Sequence, residues 1–263
     1  MVYDSMFKTK TIGGTLHNHF ADQIRPVSIA TDTFDFSDTT EYKVFFQLEP
    51  PDIVPTEQTL LDSHTFYDLI LAWNVRTLEG CPNNSHKFIF GTCRWAEDPT
   101  DDCDVSKKQF SVSYLTSSKT MCKGHYFRHD IYNTLPAQAG QIPIIKHMSP
   151  PYVEDKKEFL YPFQYAIVME NGKRKNWITE KLIDCLVSRT VPIYWGCPNV
   201  NEYFNTDSIL SFETQQEFMD ILGGLSSSFY ESKLKSIDDN LHEAMKYTNL
   251  HKRIDEEIRK RLR

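Results

Sequence analysis

The sequence predicts an α/β fold with a largely parallel sheet, divided into two halves. Short apolar runs recur with helical patterns between them, at Tyr42–Leu48, Tyr67–Trp73, Lys87–Phe90, Phe110–Leu115, Phe163–Met169 and Thr190–Trp195. Alternation of that kind marks strands joined by helical crossovers. At 263 residues the chain can form one large domain or two modest ones, and 40% hydrophobic residues with 13% aromatics are those of a packed body. Between Thr92 and Lys108 the sequence turns acidic and polar, through Glu97-Asp98-Pro99-Thr100-Asp101-Asp102, before a fresh strand opens at Phe110. The boundary is therefore placed between residues 1–105 and residues 106–263.

At the start, Gly13-Gly14 precedes a helical pattern over Thr15 to Ile24 and reads as a tight turn or a strand-to-helix turn. It is not a GxGxxG fingerprint, which counts against a dinucleotide-dependent oxidoreductase. His17 and His19 form an HxH pair without a third ligand at a recognisable spacing, so no metal site is assigned. The second half runs strand, Ser117-Ser118-Lys119 loop, helix from His125 to Leu135, a proline-containing connection, and then strand, helix, strand. From Gln215 onward apolar residues fall at helical spacing: Phe218, Ile221, Leu222; then Leu234, Ile237, Leu241; then Ile254, Ile258, Leu262. The last helix, rich in Lys, Arg and Glu, reads as a solvated amphipathic helix.

A formal net charge of −7 excludes a general affinity for nucleic acid or anionic membrane, both of which need basic surface. The six cysteines, Cys81, Cys93, Cys103, Cys122, Cys185 and Cys197, include no CxxC pair, and the expectation is reduced, buried thiols in a cytoplasmic protein. No window approaches the roughly 18 apolar residues of a membrane helix, and the first residues carry no apolar leader.

Chemistry concentrates between Phe163 and Gly196. Phe163–Met169 is a nearly continuous apolar run, as in a parallel strand covered on both faces. It stops at Glu170-Asn171-Gly172, and Lys173-Arg174-Lys175 leads to a helix over Trp177–Ser188 with Asn176 as N-cap, followed by a buried strand, Thr190–Trp195. In such a unit ligands sit at the carboxyl ends of the strands beside the helix N-terminus. That places Glu170, Asn171, Thr179, Glu180 and Lys181 around one small volume, with free backbone N–H groups and a dipole suited to phosphate. Carboxylates there suit the hydroxyls of a nucleotide sugar, while Lys181 suits its phosphates. The same spacing also fits an exposed first-turn pair, Glu180 with Lys181, beside a solvated loop from Lys173 to Lys175.

Met169-Glu170-Asn171, then Trp177-Ile178-Thr179-Glu180-Lys181, then Val191-Pro192-Ile193-Tyr194-Trp195-Gly196, continuing through Pro198, Tyr203-Phe204-Asn205 and Ser211-Phe212, resembles the α-1,3-fucosyltransferase family, glycosyltransferase family 10, and its bacterial members most. Met169 and Trp177 depart from the family's Phe and Tyr. Upstream, Gly124–Leu135 resembles the first helix of the family's donor domain, with Arg128 at the position that faces the donor phosphates, and Phe45-Phe46-Gln47-Leu48-Glu49-Pro50-Pro51 resembles its Glu-Ser-Pro element, which makes Glu49 the implied catalytic base.

The resemblance implies a GT-B-like architecture, two Rossmann-like domains facing a cleft, the first compact. It implies an inverting, metal-independent transfer of L-fucose from GDP-fucose to a glycan hydroxyl in α-1,3-type linkage, with no further cofactor. Arg128, Glu170, Asn171, Trp177, Thr179, Glu180 and Lys181 are then the donor-binding residues. Two other readings stay open: a transferase of the same fold using another nucleotide sugar, and a non-catalytic nucleotide-sugar-binding module.

Overall fold

The computed structural model describes residues 15–16, 27–93, 95–96, 103–135, 138–139 and 142–262, and it divides into two compact units, Met1–Ile89 and Phe90–Arg263. In the first unit, β1 (Thr15–Leu16), β2 (Val27–Thr31), β3 (Tyr42–Phe46), β4 (Leu69–Ala72) and β5 (Ser85–Lys87) form a sheet in that order. Strands β2 to β5 are parallel and β1 is antiparallel at the edge. Two short helices, α1 (Glu57–Ser63) and α2 (Val75–Gly80), follow β3 and β4. One face of the sheet buries Ala30, Phe45, Ile70 and Ala72 with Leu60 of α1 and Tyr67, and Phe34 stacks on Phe45 at 5.1 Å between ring centroids.

Three expectations for this unit change. Thr15–Leu16 is a strand paired with Ile29 and Ala30, so the helix expected over Thr15 to Ile24 does not begin at Thr15; the rest of that stretch, with Gly13, Gly14, His17 and His19, lies outside the described residues. The strand anticipated at Lys87–Phe90 sits earlier, at Ser85–Lys87. Phe88, Ile89 and Phe90 are apolar because they are buried, not because they extend the sheet. The division after Ile89 also falls ahead of the acidic stretch. Residues following it are tied into the second unit: Gly91 N–H donates to Ile178 O at 2.9 Å, Thr92 Oγ1 to Thr248 O at 3.1 Å and Cys103 Sγ to Ser188 O at 2.9 Å.

The second unit is built on β6 (Gln109–Ser117), α3 (Lys123–Thr134), β7 (Gln138–Ala139), β8 (Ile142–Ser149), β9 (Phe163–Met169), α4 (Glu180–Val187), β10 (Val191–Trp195) and β11 (Leu210–Ser211). Its strands lie in the order β11-β10-β9-β6-β8-β7, all parallel except β7. All seven residues of β9 are buried, which is why the run reads as unbroken apolar sequence. The proline-containing connection is in fact β8, with Pro143 near its start, where a strand tolerates the missing N–H. At the amino ends of the strands, the Lys108 amine donates to Leu160 O, Tyr161 O, Phe163 O and Thr190 Oγ1 at 2.8–3.1 Å. That buried cation, brought down to about 8 by burial, joins the entry to β6 with the entries to β9 and β10.

Helices α5 (Gln215–Gly224), α6 (Ser227–Ser232), α7 (Leu234–Met245) and α8 (Leu250–Leu262) complete the unit. Phe218, Leu222, Tyr230 and Ile237 join the core with Val112, Tyr165 and Ile193. The basic end of α8 is a paired surface face, as its pattern predicts, with Arg259 on Asp255 and Lys260 and Arg261 on Glu257 at 2.6–2.7 Å. The six cysteines are buried free thiols. Among the described residues no helix is long and apolar enough to cross a membrane.

Candidate functional site

Strand order locates the site. β6 and β9 are neighbours, yet the chain leaves β6 through α3 toward β8 and leaves β9 through α4 toward β10, on opposite sides. Connections that diverge from adjacent parallel strands open a crevice at their carboxyl ends, the switch point where open α/β sheets bind ligands. The N-termini of α3 and α4 both begin there.

The approach of α3 is close. A Cβ on Gly124, in its first turn, would overlap the backbone carbonyl of Asn171 at the end of β9. Cys122 Sγ donates to Asn171 O at 3.1 Å, and the Arg128 guanidinium donates through Nη2 to Asn171 Oδ1. Arg128 is 5% exposed, and its Nε has no partner. Tyr114 on β6 donates to Arg128 O at 3.1 Å and also meets Met169 Sδ at 3.3 Å, which accounts for a methionine at that place. His125 accepts from Met121 N–H through Nδ1 at 2.9 Å, so its proton sits on Nε2. Burial, then the Arg128 charge, brings this ring down to about 4 and keeps it neutral at pH 7.

At α4 the structure departs from expectation in an instructive way. The N-cap is Thr179 and not Asn176. Thr179 is extended and its side chain accepts from Lys181 N–H, whereas Asn176 has φ 62° in the left-handed region. Asn176 is held there by Asn199: Asn176 N–H donates to Asn199 Oδ1 and Asn199 Nδ2 returns a bond to Asn176 Oδ1, both at 2.9 Å. Tyr203 OH also donates to Asn176 Oδ1, at 2.6 Å.

Two amides at this helix end already have acceptors within the chain: Lys181 N–H meets Thr179 Oγ1 at 3.3 Å, and Thr179 N–H meets Glu170. Glu170, fully buried, accepts Thr179 N–H at 3.0 Å on Oε1 and Thr179 Oγ1 at 2.7 Å on Oε2. The chain's own carboxylate is thus the anion at the start of α4, as the helix dipole favours. The Gly196 position allows this, since a Cβ there would stand 2.6 Å from Glu170 Cγ and 2.5 Å from the Tyr194 hydroxyl.

Lys181 Nζ lies 3.1 Å from Thr179 Oγ1, 3.1 Å from Glu180 Oε1 and 3.5 Å from Glu170 Oε2, with its side chain 26% exposed. Burial pulls this amine down, but Glu180 and Glu170 outweigh it and hold it above its ordinary value. Burial pushes Glu180 up, but Lys181 and Lys156 prevail and bring its carboxyl down to about 2. Glu170 moves up through burial.

The structure brings together Glu170, Asn171, Thr179, Glu180 and Lys181, the set expected from spacing, and Arg128, singled out by the resemblance, joins them through Asn171. Trp177 is adjacent in sequence, but its side chain is enclosed at 1% exposure. The first-turn pair Glu180–Lys181 is partly buried and interlocked with Glu170, and Lys173 pairs with Glu213. Sequence reading missed His125, Tyr114, Lys156 and the Asn176–Asn199 pair. His125 lies within the segment that carried Arg128, while the others are joined to the site only by the fold. Glu49 lies in the first unit, two residues past Leu48's predecessor on the way out of β3. Leu48 N–H and Glu49 N–H donate to Asp32 Oδ1 and Oδ2 at 2.9 and 2.7 Å.

A parallel α/β unit with two helix N-termini and an Arg, Lys and carboxylate cluster at its switch point belongs to the Rossmann-like class. Residues 105–253 match the family described as glycosyltransferase family 10 (fucosyltransferase) C-term, and the chain belongs to that family. It is 33% identical over 148 residues to the alpha-(1,3)-fucosyltransferase FucT of Helicobacter pylori, covering 52% of this chain and 30% of that protein. It is 33% identical over 64 residues to a putative fucosyltransferase-like protein of Arabidopsis thaliana, covering 24% of this chain and 12% of that one. The matched region thus spans under a third of the length of either relative.

Among solved structures, a crystal structure of alpha1,3-fucosyltransferase aligns with TM-score 0.53 at 15% identity, covering 84% of this chain and 80% of that one. A UDP-forming trehalose-phosphate synthase from Burkholderia xenovorans aligns with TM-score 0.51 at 9% identity, covering 88% and 72%. These likenesses bear out the α/β, GT-B-like fold class.

Proposed function

We propose that the chain is an inverting fucosyltransferase that moves L-fucose from GDP-fucose to a hydroxyl of a glycan acceptor, in α-1,3-type linkage. The observation that carries this reading is the cluster at the β6–β9 switch point, inside the span that matches the family. One of the similar solved structures is a crystal structure of alpha1,3-fucosyltransferase with GDP-fucose.

Arg128, buried with an unpartnered Nε, and Lys181, kept charged by two carboxylates, neutralise the diphosphate as negative charge grows on it during departure. Glu180, ionised and partly exposed, accepts hydrogen bonds from sugar or ribose hydroxyls. Glu170 supports the site from behind by fixing Thr179 and Lys181, and Asn171 holds Arg128 in place. Glu49 takes the proton of the acceptor hydroxyl as its oxygen attacks the anomeric carbon; one displacement with one base inverts that centre.

Glu49→Gln is expected to keep GDP affinity within about twofold, by calorimetry, and to lose transfer by about 10²–10⁴-fold. Full turnover in that variant removes Glu49 from the mechanism. Thermal stabilisation by GDP and not by UDP supports the fucose donor. Stabilisation by UDP alone favours another nucleotide sugar, and GDP-fucose binding without transfer or hydrolysis favours a binding module.

A further inference from the structure

Asp32 follows β2 directly and has φ 49°, in the left-handed region that asparagine and aspartate tolerate better than other non-glycine residues. Its N–H donates to Phe46 O at 3.2 Å, extending the β2–β3 ladder by one residue. Its two carboxylate oxygens then take one amide each, from Leu48 and Glu49. Trp73 Nε1 donates to Leu48 O at 3.1 Å, so this peptide segment is gripped at its N–H groups by Asp32 and at a carbonyl by Trp73.

A turn alone would need only a residue that tolerates positive φ. Here the turn carries a carboxyl that burial pushes up to about 7, with Glu49's charge pushing the same way and the two amide bonds opposing. Among the described residues Glu49 is the charged group that acts on it; Ala30, Thr31, Phe46, Gln47 and Leu48 on β2, the end of β3 and the segment after it are uncharged. Strained, desolvated groups that cost stability concentrate where geometry serves function.

We propose that Asp32 is a positioning residue for Glu49: its carboxylate fixes the two peptide units from which the Glu49 side chain departs, and so the direction in which that base meets an acceptor hydroxyl. This rests on the reading of Glu49 as base. A misdirected base costs turnover and leaves donor affinity alone, since Asp32 and Glu49 belong to the first unit and the proposed phosphate ligands to the second.

The test is a double-mutant cycle in turnover, with GDP affinity measured alongside. Asp32→Ala is expected to lower kcat by about 10–100-fold, the scale of a small misplacement of a reacting group, with GDP affinity within about twofold. In a Glu49→Gln background the same change is expected to alter the residual kcat by less than about twofold, because the group it positions is already gone. A structural role would instead give the same loss in both backgrounds, and that result overturns the proposal. An inactive Glu49→Gln beside a fully active Asp32→Ala also overturns it while leaving the base reading intact. Wild-type kcat in Glu49→Gln overturns the base reading and this one together. Should Asp32→Ala fail to fold, Asp32→Asn, which keeps the turn and one acceptor, carries the same comparison.

Discussion

Replacing Gly124 with alanine puts a methyl carbon where the carbonyl carbon and oxygen of Asn171 already stand, and 3.1 Å from Gly172 N. Ordinary contacts between such atoms lie near ~3.5–4.0 Å. The obstructing atoms are backbone at the end of β9, so no side-chain rotation relieves the overlap, and the first turn of α3 must move away. Overpacking of this kind costs about 1–3 kcal/mol, and a rigid obstacle argues for the upper end. Alanine's helical advantage over glycine, at most ~1 kcal/mol, offsets part of that, leaving about 2 kcal/mol of destabilisation. At roughly 2–4 °C per kcal/mol for a unit of this size, Tm is expected to fall by about 4–8 °C. Displacing α3 also separates Arg128 from Asn171, so GDP affinity falls with stability. Gly223→Ala is the control: nothing lies within 4 Å of its added methyl in α5, and it is expected to gain about 0.5–1 kcal/mol. Thermal melts and GDP titration of both variants decide the matter. A Gly124→Ala protein as stable as wild type, with unchanged GDP affinity, refutes the packing argument.

Lys181→Ala is expected to weaken GDP binding and to lower kcat/KM by about 10²–10³-fold; unchanged steady-state kinetics would detach the lysine from the donor. Burial, against the opposing Lys156 charge, raises Asp184 from 3.8 to about 6, so the folded chain holds an extra proton between those values and stability falls as pH rises through that window. Asp184→Asn should remove that fall, gaining up to about 3 kcal/mol over wild type at pH 8 relative to their difference at pH 4; equal pH slopes in urea unfolding would contradict it. Asn199→Ala removes both bonds to Asn176 and is expected to cost about 2 kcal/mol, read by urea unfolding, and to weaken GDP binding by loosening the loop before Thr179. A cost below about 0.5 kcal/mol would show that the left-handed turn stands without its partner.

The unit β9–α4–β10 was legible in sequence because its signals are local. A strand buried on both faces is apolar throughout, a helix shows its period, and both are written within one short segment. Glu170, Asn171, Thr179, Glu180 and Lys181 were legible for the same reason, since they are neighbours along the chain.

The rest depended on partners far away in sequence. Thr179 and not Asn176 caps α4 because Asn199 holds Asn176 in a conformation incompatible with capping. The capping Thr179 is itself held because folding delivers Glu170 to its N–H and hydroxyl, and Arg128 reaches Asn171 because a glycine lets α3 approach the end of β9. The proline-bearing stretch became β8, and residues after Ile89 joined the second unit, through pairings that no local pattern encodes. Sequence by itself determined the strand–helix–strand segment and the residue types at its carboxyl edge. Only the tertiary structure decided the strand order that makes β6 and β9 neighbours, because adjacency in a parallel sheet is set by long-range backbone pairing, and with it the switch point where two helix ends and their charges meet.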